Sequence, residues 1–135
     1  MLSTLARSIR ARLGAVSLLG TGGGLPGLVA QAADHASVCL MAADAAGTIV
    51  YINPALRRLF EACADDLRER YPWFDPARIV GESLDRFHTD PTHQRRLLAA
   101  MGEEHVARIQ VGPRRFRLTL RRARDASGPV GYLVE

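Results

Sequence analysis

Asp44-Ala45-Ala46-Gly47-Thr48-Ile49-Val50-Tyr51-Ile52-Asn53-Pro54-Ala55 passes from turn to strand to helix start, and that succession decides the fold. Asp44 to Gly47 reads as a tight turn, with Gly47 free to take the positive φ that such a turn demands. Thr48–Ile52 is β-branched and aromatic, the composition of a strand. Asn53 then offers a side-chain oxygen to free helical amides, and Pro54 fits the first helical position, where no amide donor is needed. Upstream, the apolar run Val38–Ala43 has strand length, so the two runs form a hairpin. Downstream, Leu56, Leu59 and Phe60 lie three and four apart and make the buried stripe of a helix, with Arg57, Arg58 and Glu61 on its wet side.

Outward from that core the elements remain short. Leu28–His35 reads as a leading helix, and Ala64–Arg70 as a helical turn closed by Tyr71-Pro72. Pro91–Met101 reads as a longer helix capped by Asp90, with Leu97, Leu98 and Met101 inward and Gly102 as terminator. The apolar period then changes to two. In His105–Val111, Ala107, Ile109 and Val111 alternate with Arg108 and Gln110. In Arg115–Arg121, Phe116, Leu118 and Leu120 alternate with arginines. Gly112-Pro113-Arg114 joins these two strands, Asp125–Pro129 turns again, and Val130–Val134 is a last strand. Two strands before the helices and three after them predict an α+β fold. It has one five-stranded antiparallel sheet, short helices packed on one face, and a cleft between the layers.

The chain has 135 residues with a formal net charge of +4, and every one of its 18 basic residues is arginine. Six of these lie between Arg114 and Arg124. They alternate along one wet sheet face with no interleaved aromatics, so the reading is a solvated or partner-facing surface, not a nucleic-acid platform. Cys39 and Cys63 make neither a disulfide framework nor zinc spacing, which suits a reducing, cytoplasmic setting. Residues 1–33 contain no acid. Ala30-Gln31-Ala32 imitates a signal-peptide cleavage site, but Gly20, Gly22-Gly23-Gly24 and Pro26 interrupt the apolar run, which also makes a poor membrane span. Leu2, Leu5, Ile9, Leu13 and Val16 keep helical spacing instead. The expected organisation is therefore an amphipathic helix and glycine-rich linker over 1–27, then one sensor-sized domain over 28–135.

No phosphate loop, dinucleotide fingerprint or paired nucleophile and base is present, and the chain is not expected to be an enzyme. The stretch from Ile79 to Arg95 carries the remaining chemistry. Ile79, Leu84 and Phe87 give it an apolar side, and His88 follows at once. A neutral imidazole there suits iron ligation, while a hydrogen-bonded, half-buried histidine is the plainer alternative. His93 and Gln94 open a helix whose amide dipoles favour an anion such as a cofactor carboxylate, or are simply an exposed helix start.

Three features together resemble a known family: the element order, the run Asp44–Ala55, and Gly128 to Tyr132. They are similar to a PAS domain. Phe87-His88-Thr89-Asp90-Pro91-Thr92-His93-Gln94-Arg95 further resembles the PAS domains of soluble aerotaxis-type, methyl-accepting chemoreceptors, over about residues 36–135. The resemblance implies b-type haem in the sheet–helix cleft, with His88 on the iron, His93 near the haem edge and Leu118 facing the gas side. It implies a cytoplasmic oxygen sensor that works with a neighbouring signalling domain or as a homodimer, or else a cofactor-free interaction module. Haem-binding members place an oxygen-bonding Trp on the last strand. This sequence stops at Glu135, where that residue is expected, so the iron is expected to favour carbon monoxide over oxygen.

Overall fold

The computed structural model describes residues 24–135. The amphipathic helix read over the first residues lies outside them. Helix α1 (Leu25–His35) leads into β1 (Met41–Asp44) and β2 (Ile49–Ile52). Helices α2 (Pro54–Ala62) and α3 (Ala64–Arg70) follow, then 3-10 turns at Pro76–Arg78 and Leu84–Phe87, then α4 (Pro91–Ala100). Strands β3 (Glu104–Val111), β4 (Arg114–Asp125) and β5 (Gly128–Val134) complete one five-stranded sheet, in the order β2-β1-β5-β4-β3. Every pairing is antiparallel.

The decisive stretch folds as its residues dictate. Gly47 has φ +85°, and the turn is closed by Asp44 Oδ1, which accepts from the amides of Ala46 and Thr48 at 3.0 and 2.9 Å. Asn53 caps α2 by accepting from the Leu56 amide at 3.0 Å, and Asp90 caps α4 by accepting from the His93 amide at 3.0 Å.

The structure departs from the sequence reading in several places: β4 runs on to Asp125, past the expected Arg121, and β5 starts at Gly128, before the expected Val130. Strand β1 begins at Met41, not Val38, because Asn53 intercepts the preceding residues: its side chain takes the Leu40 amide at 3.0 Å and the Val38 carbonyl at 2.8 Å. Helix α1 starts at Leu25, with Pro26 in its first turn, three residues before the expected Leu28. In α4 only Leu98 is buried; Leu97 is 43% exposed, because the helix meets the rest of the fold along a narrow line.

Register separates the two faces of the sheet. Leu118 pairs with Ala107, Phe116 with Ile109 and Leu120 with both His105 and Val134, while Met41 pairs with Val134. These side chains share the face covered by α2 and α3, where Met41, Ile49, Ile52, Leu56, Cys63, Leu67, Phe74, Ile79 and Val111 form the core. Burial of these apolar surfaces is the main driving force. Arg108, Arg117 and Arg121 fall on the opposite face, as the alternation required.

Candidate functional site

The 3-10 turn Leu84–Phe87 is a stiff platform, and His88 is the residue that ends it. Ser83 caps the turn by accepting from the Asp85 amide at 3.2 Å, and the His88 amide closes it on the Asp85 carbonyl at 3.1 Å. The Tyr71 hydroxyl donates to the Phe87 carbonyl at 2.9 Å. The Phe87 ring lies 5.0 Å from Trp73 and 5.3 Å from Tyr71, both edge to face. Such aromatic pairs add to what area burial supplies. Arg86 stacks over Trp73 at 4.1 Å and pairs with Glu82. Asp85 reaches across to α4, where Arg95 Nε donates to it at 3.0 Å. The backbone on both sides of His88 is therefore fixed.

The His88 side chain is itself exposed, and among the described residues no hydrogen bond or ion pair involves its ring. The protein packed around its covered part lowers its pKa from the ordinary 6.5; Asp85 opposes that shift, and Arg70 adds to it. That direction favours the neutral imidazole, the form that can donate a lone pair to a metal. His93 is exposed on the first turn of α4.

Two hollows lie on the helix-covered side. One is an apolar cavity of about 130 Å³ whose walls include Met41, Leu56, Leu59, Phe116, Leu118 and Val134, with both cysteines. The other, of about 440 Å³, is more polar and lies among Gly47, Leu84, Asp85, Arg95, Leu98 and Tyr132. Tyr132 and Val134 are two residues apart on β5, so both hollows stand over the same face. Leu118 is where its period put it, on the wall of the first. His88 and His93 line neither, so the three residues singled out by sequence do not share one hollow. Toward the edge strand that face is left uncovered: Ile109 is 42% exposed and His105 is exposed.

Sequence reasoning passed over two contributors. His105 carried no legible signal, yet strict alternation with Ala107 puts it on the helix-covered face. Arg122 was counted among wet arginines. Its place two residues beyond Leu120 sends it inward, where it donates to the Leu98 carbonyl near the end of α4. Among the described residues no group of three or more His, Cys, Asp or Glu is arranged to hold a metal ion, and no helix is long and apolar enough to cross a membrane.

A five-stranded antiparallel sheet with short helices over one face and a cleft between them defines a sensor-type α+β module, and the family model described as PAS fold matches residues 33–135. The chain belongs to the PAS fold family. It is 37% identical over 90 residues to the methyl-accepting chemotaxis protein McpB of Pseudomonas aeruginosa, a match that takes in 67% of this chain but 13% of that receptor. Among solved structures it resembles the Aer2 receptor from Vibrio cholerae, described as a dual PAS-heme oxygen sensor. The TM-score is 0.62 at 36% identity, covering 71% of this chain and 88% of that one. A PAS domain from Colwellia psychrerythraea shares the fold at 12% identity, with a TM-score of 0.52 over 80% of this chain and 91% of that one.

Proposed function

We propose that this chain is the haem-binding sensor module of a cytoplasmic chemotaxis receptor, with a diatomic gas, oxygen in the first instance, as its signal. The observation that carries the reading is His88: an exposed imidazole that ends a fixed turn and has no partner among the described residues, in a chain 36% identical to a PAS-heme oxygen sensor over 71% of its length. An iron ligand should be free at its own nitrogen and is usually oriented by a partner on its other ring nitrogen; His88 meets the first condition and has a fixed backbone, while its ring has no partner among the described residues.

By residue type, His88, His93 and Leu118 suit b-type haem, although they do not share one hollow. His88 would hold the iron, His93 would lie near the haem edge at the positive end of α4, and the apolar Leu118 would face the gas side. Haem would supply a gas-binding iron. The apolar cavity alone, about 130 Å³, is smaller than the roughly 300–1,000 Å³ of ordinary ligand pockets. The support for a larger guest is the uncovered edge of the same face, where Ile109 and His105 stand open. The lowered pKa of His88 keeps its ligating form available below the ordinary 6.5. The protein's part is to bind and orient; a non-enzymatic role follows from that, with a neighbouring signalling domain or a second copy as receiver.

The test is an absorption spectrum of protein produced with haem supplied. A Soret band that His88→Ala removes, while the circular dichroism stays unchanged, is the expected result. A band that survives His88→Ala sends the ligand elsewhere, with His93→Ala the next variant. A chain that takes up no haem leaves the second reading, a cofactor-free interaction module. That reading is favoured by the apolar surface of α1, where Leu25, Leu28 and Val29 are each more than half exposed; Leu28→Glu would then disperse a dimer.

A further inference from the structure

The sheet has two edges, and the protein treats them differently. At β2 the segment before the Leu84–Phe87 turn covers the edge. The Ile49 amide donates to the Glu82 carbonyl at 2.8 Å, the Gly81 amide donates to the Ile49 carbonyl at 2.8 Å, and Thr48 bridges to Ser83. At β3 nothing among the described residues does this. The Glu103 carbonyl accepts from the Arg122 amide, and bonded positions alternate along an antiparallel ladder. His105, Ala107 and Ile109 therefore bond to β4, while the backbone groups of Glu104, Val106 and Arg108 point away from the sheet. The pairing with β4 runs unbroken from Glu104 to Val111. No bulge, proline or lysine blunts this edge, which are the usual guards against a second strand. It is closed only at the hairpin end, where Arg70 reaches the Gln110 carbonyl at 3.5 Å.

The side chains along this edge complement a copy of themselves. Arg108 stands directly opposite Arg117 of β4, a like-charge pairing that destabilises a sheet. No carboxylate among the described residues pairs with Arg108. Glu104 lies on the same face and gives Oε2 to Arg121 at 2.9 Å, with its other oxygen to spare. Val106 stands between them, 39% exposed. We infer that a second copy of this chain docks here, β3 against β3 in antiparallel order about a twofold axis at Val106, which joins two sheets into one. Val106 then faces its own copy, and each Glu104 faces Arg108 of the other protomer. The outward amides and carbonyls of these residues are satisfied together. Charge sets the register: an axis at Arg108 opposes two arginines, one at Glu104 opposes two glutamates, and one at His105 or Ala107 separates the opposite charges. A strand edge is a small interface, so the dimer is reversible. The inference goes beyond the sensor reading and needs no haem.

The apo chain carries the test. Sedimentation equilibrium should show its mass double reversibly between micromolar and millimolar concentration. Arg108→Glu, which also relieves the opposition to Arg117, and Glu104→Arg should each be monomeric alone, because like charges then meet across the seam. Mixed in equal amounts, the two variants should restore a dimer: Glu104 of one meets Arg108 of the other, and the two substituted positions pair on the opposite side. If Glu104→Arg folds poorly, hydrogen exchange of the wild-type chain replaces it. The Val106 and Arg108 amides should slow several-fold as chain concentration rises, with those of His105 and Ala107 unchanged. A wild-type chain that stays monomeric at millimolar concentration overturns the inference. So does a dimer that either folded charge variant leaves intact, a mixture that stays monomeric, or a dimer that Leu28→Glu disperses. Protection of Val106 and Arg108 that ignores concentration gives the edge to another segment of the same chain, and overturns it too. Haem uptake is scored separately by its Soret band, so failure of one reading is never mistaken for failure of the other.

Discussion

Among the described residues, Asn53 has a heavily committed side chain, with four hydrogen bonds. It is fully buried, and its amide uses all of its capacity: the oxygen accepts from Leu40 and Leu56, and the nitrogen donates to Ala33 and Val38. One residue thus caps α2, halts β1 at its upstream end and anchors the end of α1. Asn53→Ala should cost about 2–4 kcal/mol in urea unfolding, through the lost cap and the stranded backbone groups. Asn53→Asp should be no better, since a carboxylate would face two carbonyls. Near-wild-type stability in either variant would contradict this role. The cap was legible in sequence because capping is local; the reach to Ala33 and Val38 was not, because it spans the chain. Tyr51 makes a second tie, donating to Asp34 of α1 at 2.7 Å. Burial first, then Asp34, raises its pKa above the ordinary 10.0. A raised acid keeps its proton longer in the folded state, so this tie is fully present below pH 10 and fades as pH rises beyond it. Tyr51→Phe should therefore flatten the alkaline fall in stability, modestly because the pair is partly solvated. An alkaline limb of the same slope in both proteins would remove Tyr51 from the account.

At the scale of elements, α4 is the lightly held piece. It buries only Leu98 and is fastened by Asp85–Arg95 at one point and by Arg122 on the Leu98 carbonyl at another. Elements with few buried contacts open most readily. Amides of α4 should exchange with deuterium well before those of β4 and β5, and Arg122→Ala should speed α4 while leaving β5 alone. Equal acceleration of both would show that Arg122 supports the sheet instead. The Pro91 start, the Asp90 cap and the strand periods were readable because each is set by near neighbours. The inward place of Leu97 was misread because helical spacing marks an apolar stripe without saying how wide its contact is. His88 shows the same limit. Its turn was legible, whereas its exposure depends on the packing of Tyr71, Trp73 and Phe87, which no local pattern encodes.

At the scale of the whole sheet, β1 and β5 meet in a tight seam. A Cβ built on Gly131 would lie 2.1 Å from the Ala43 carbonyl oxygen, so the backbones there touch with no room for a side chain. Gly131→Ala should cost at least about 2 kcal/mol through forced separation of the strands. A fully stable, folded alanine variant would show that the seam can relax. If the chain takes up haem, ligand linkage should raise its thermal midpoint with haem concentration, and His88→Ala should lose that dependence.

The strand order has a consequence for synthesis. β2 and β1 reach the other strands only through β5, the last strand of the sheet. A chain emerging from the ribosome can close the β1–β2 hairpin early and the β3–β4 hairpin later, but the two stay apart until Gly128–Val134 has cleared the exit tunnel. Until then the nascent chain carries half-sheets with bare edges, the state in which unpaired strands are most prone to join the wrong neighbour. A stalled chain ending before Gly128 should be protease-sensitive throughout, and release of seven more residues should confer resistance on the whole sheet at once.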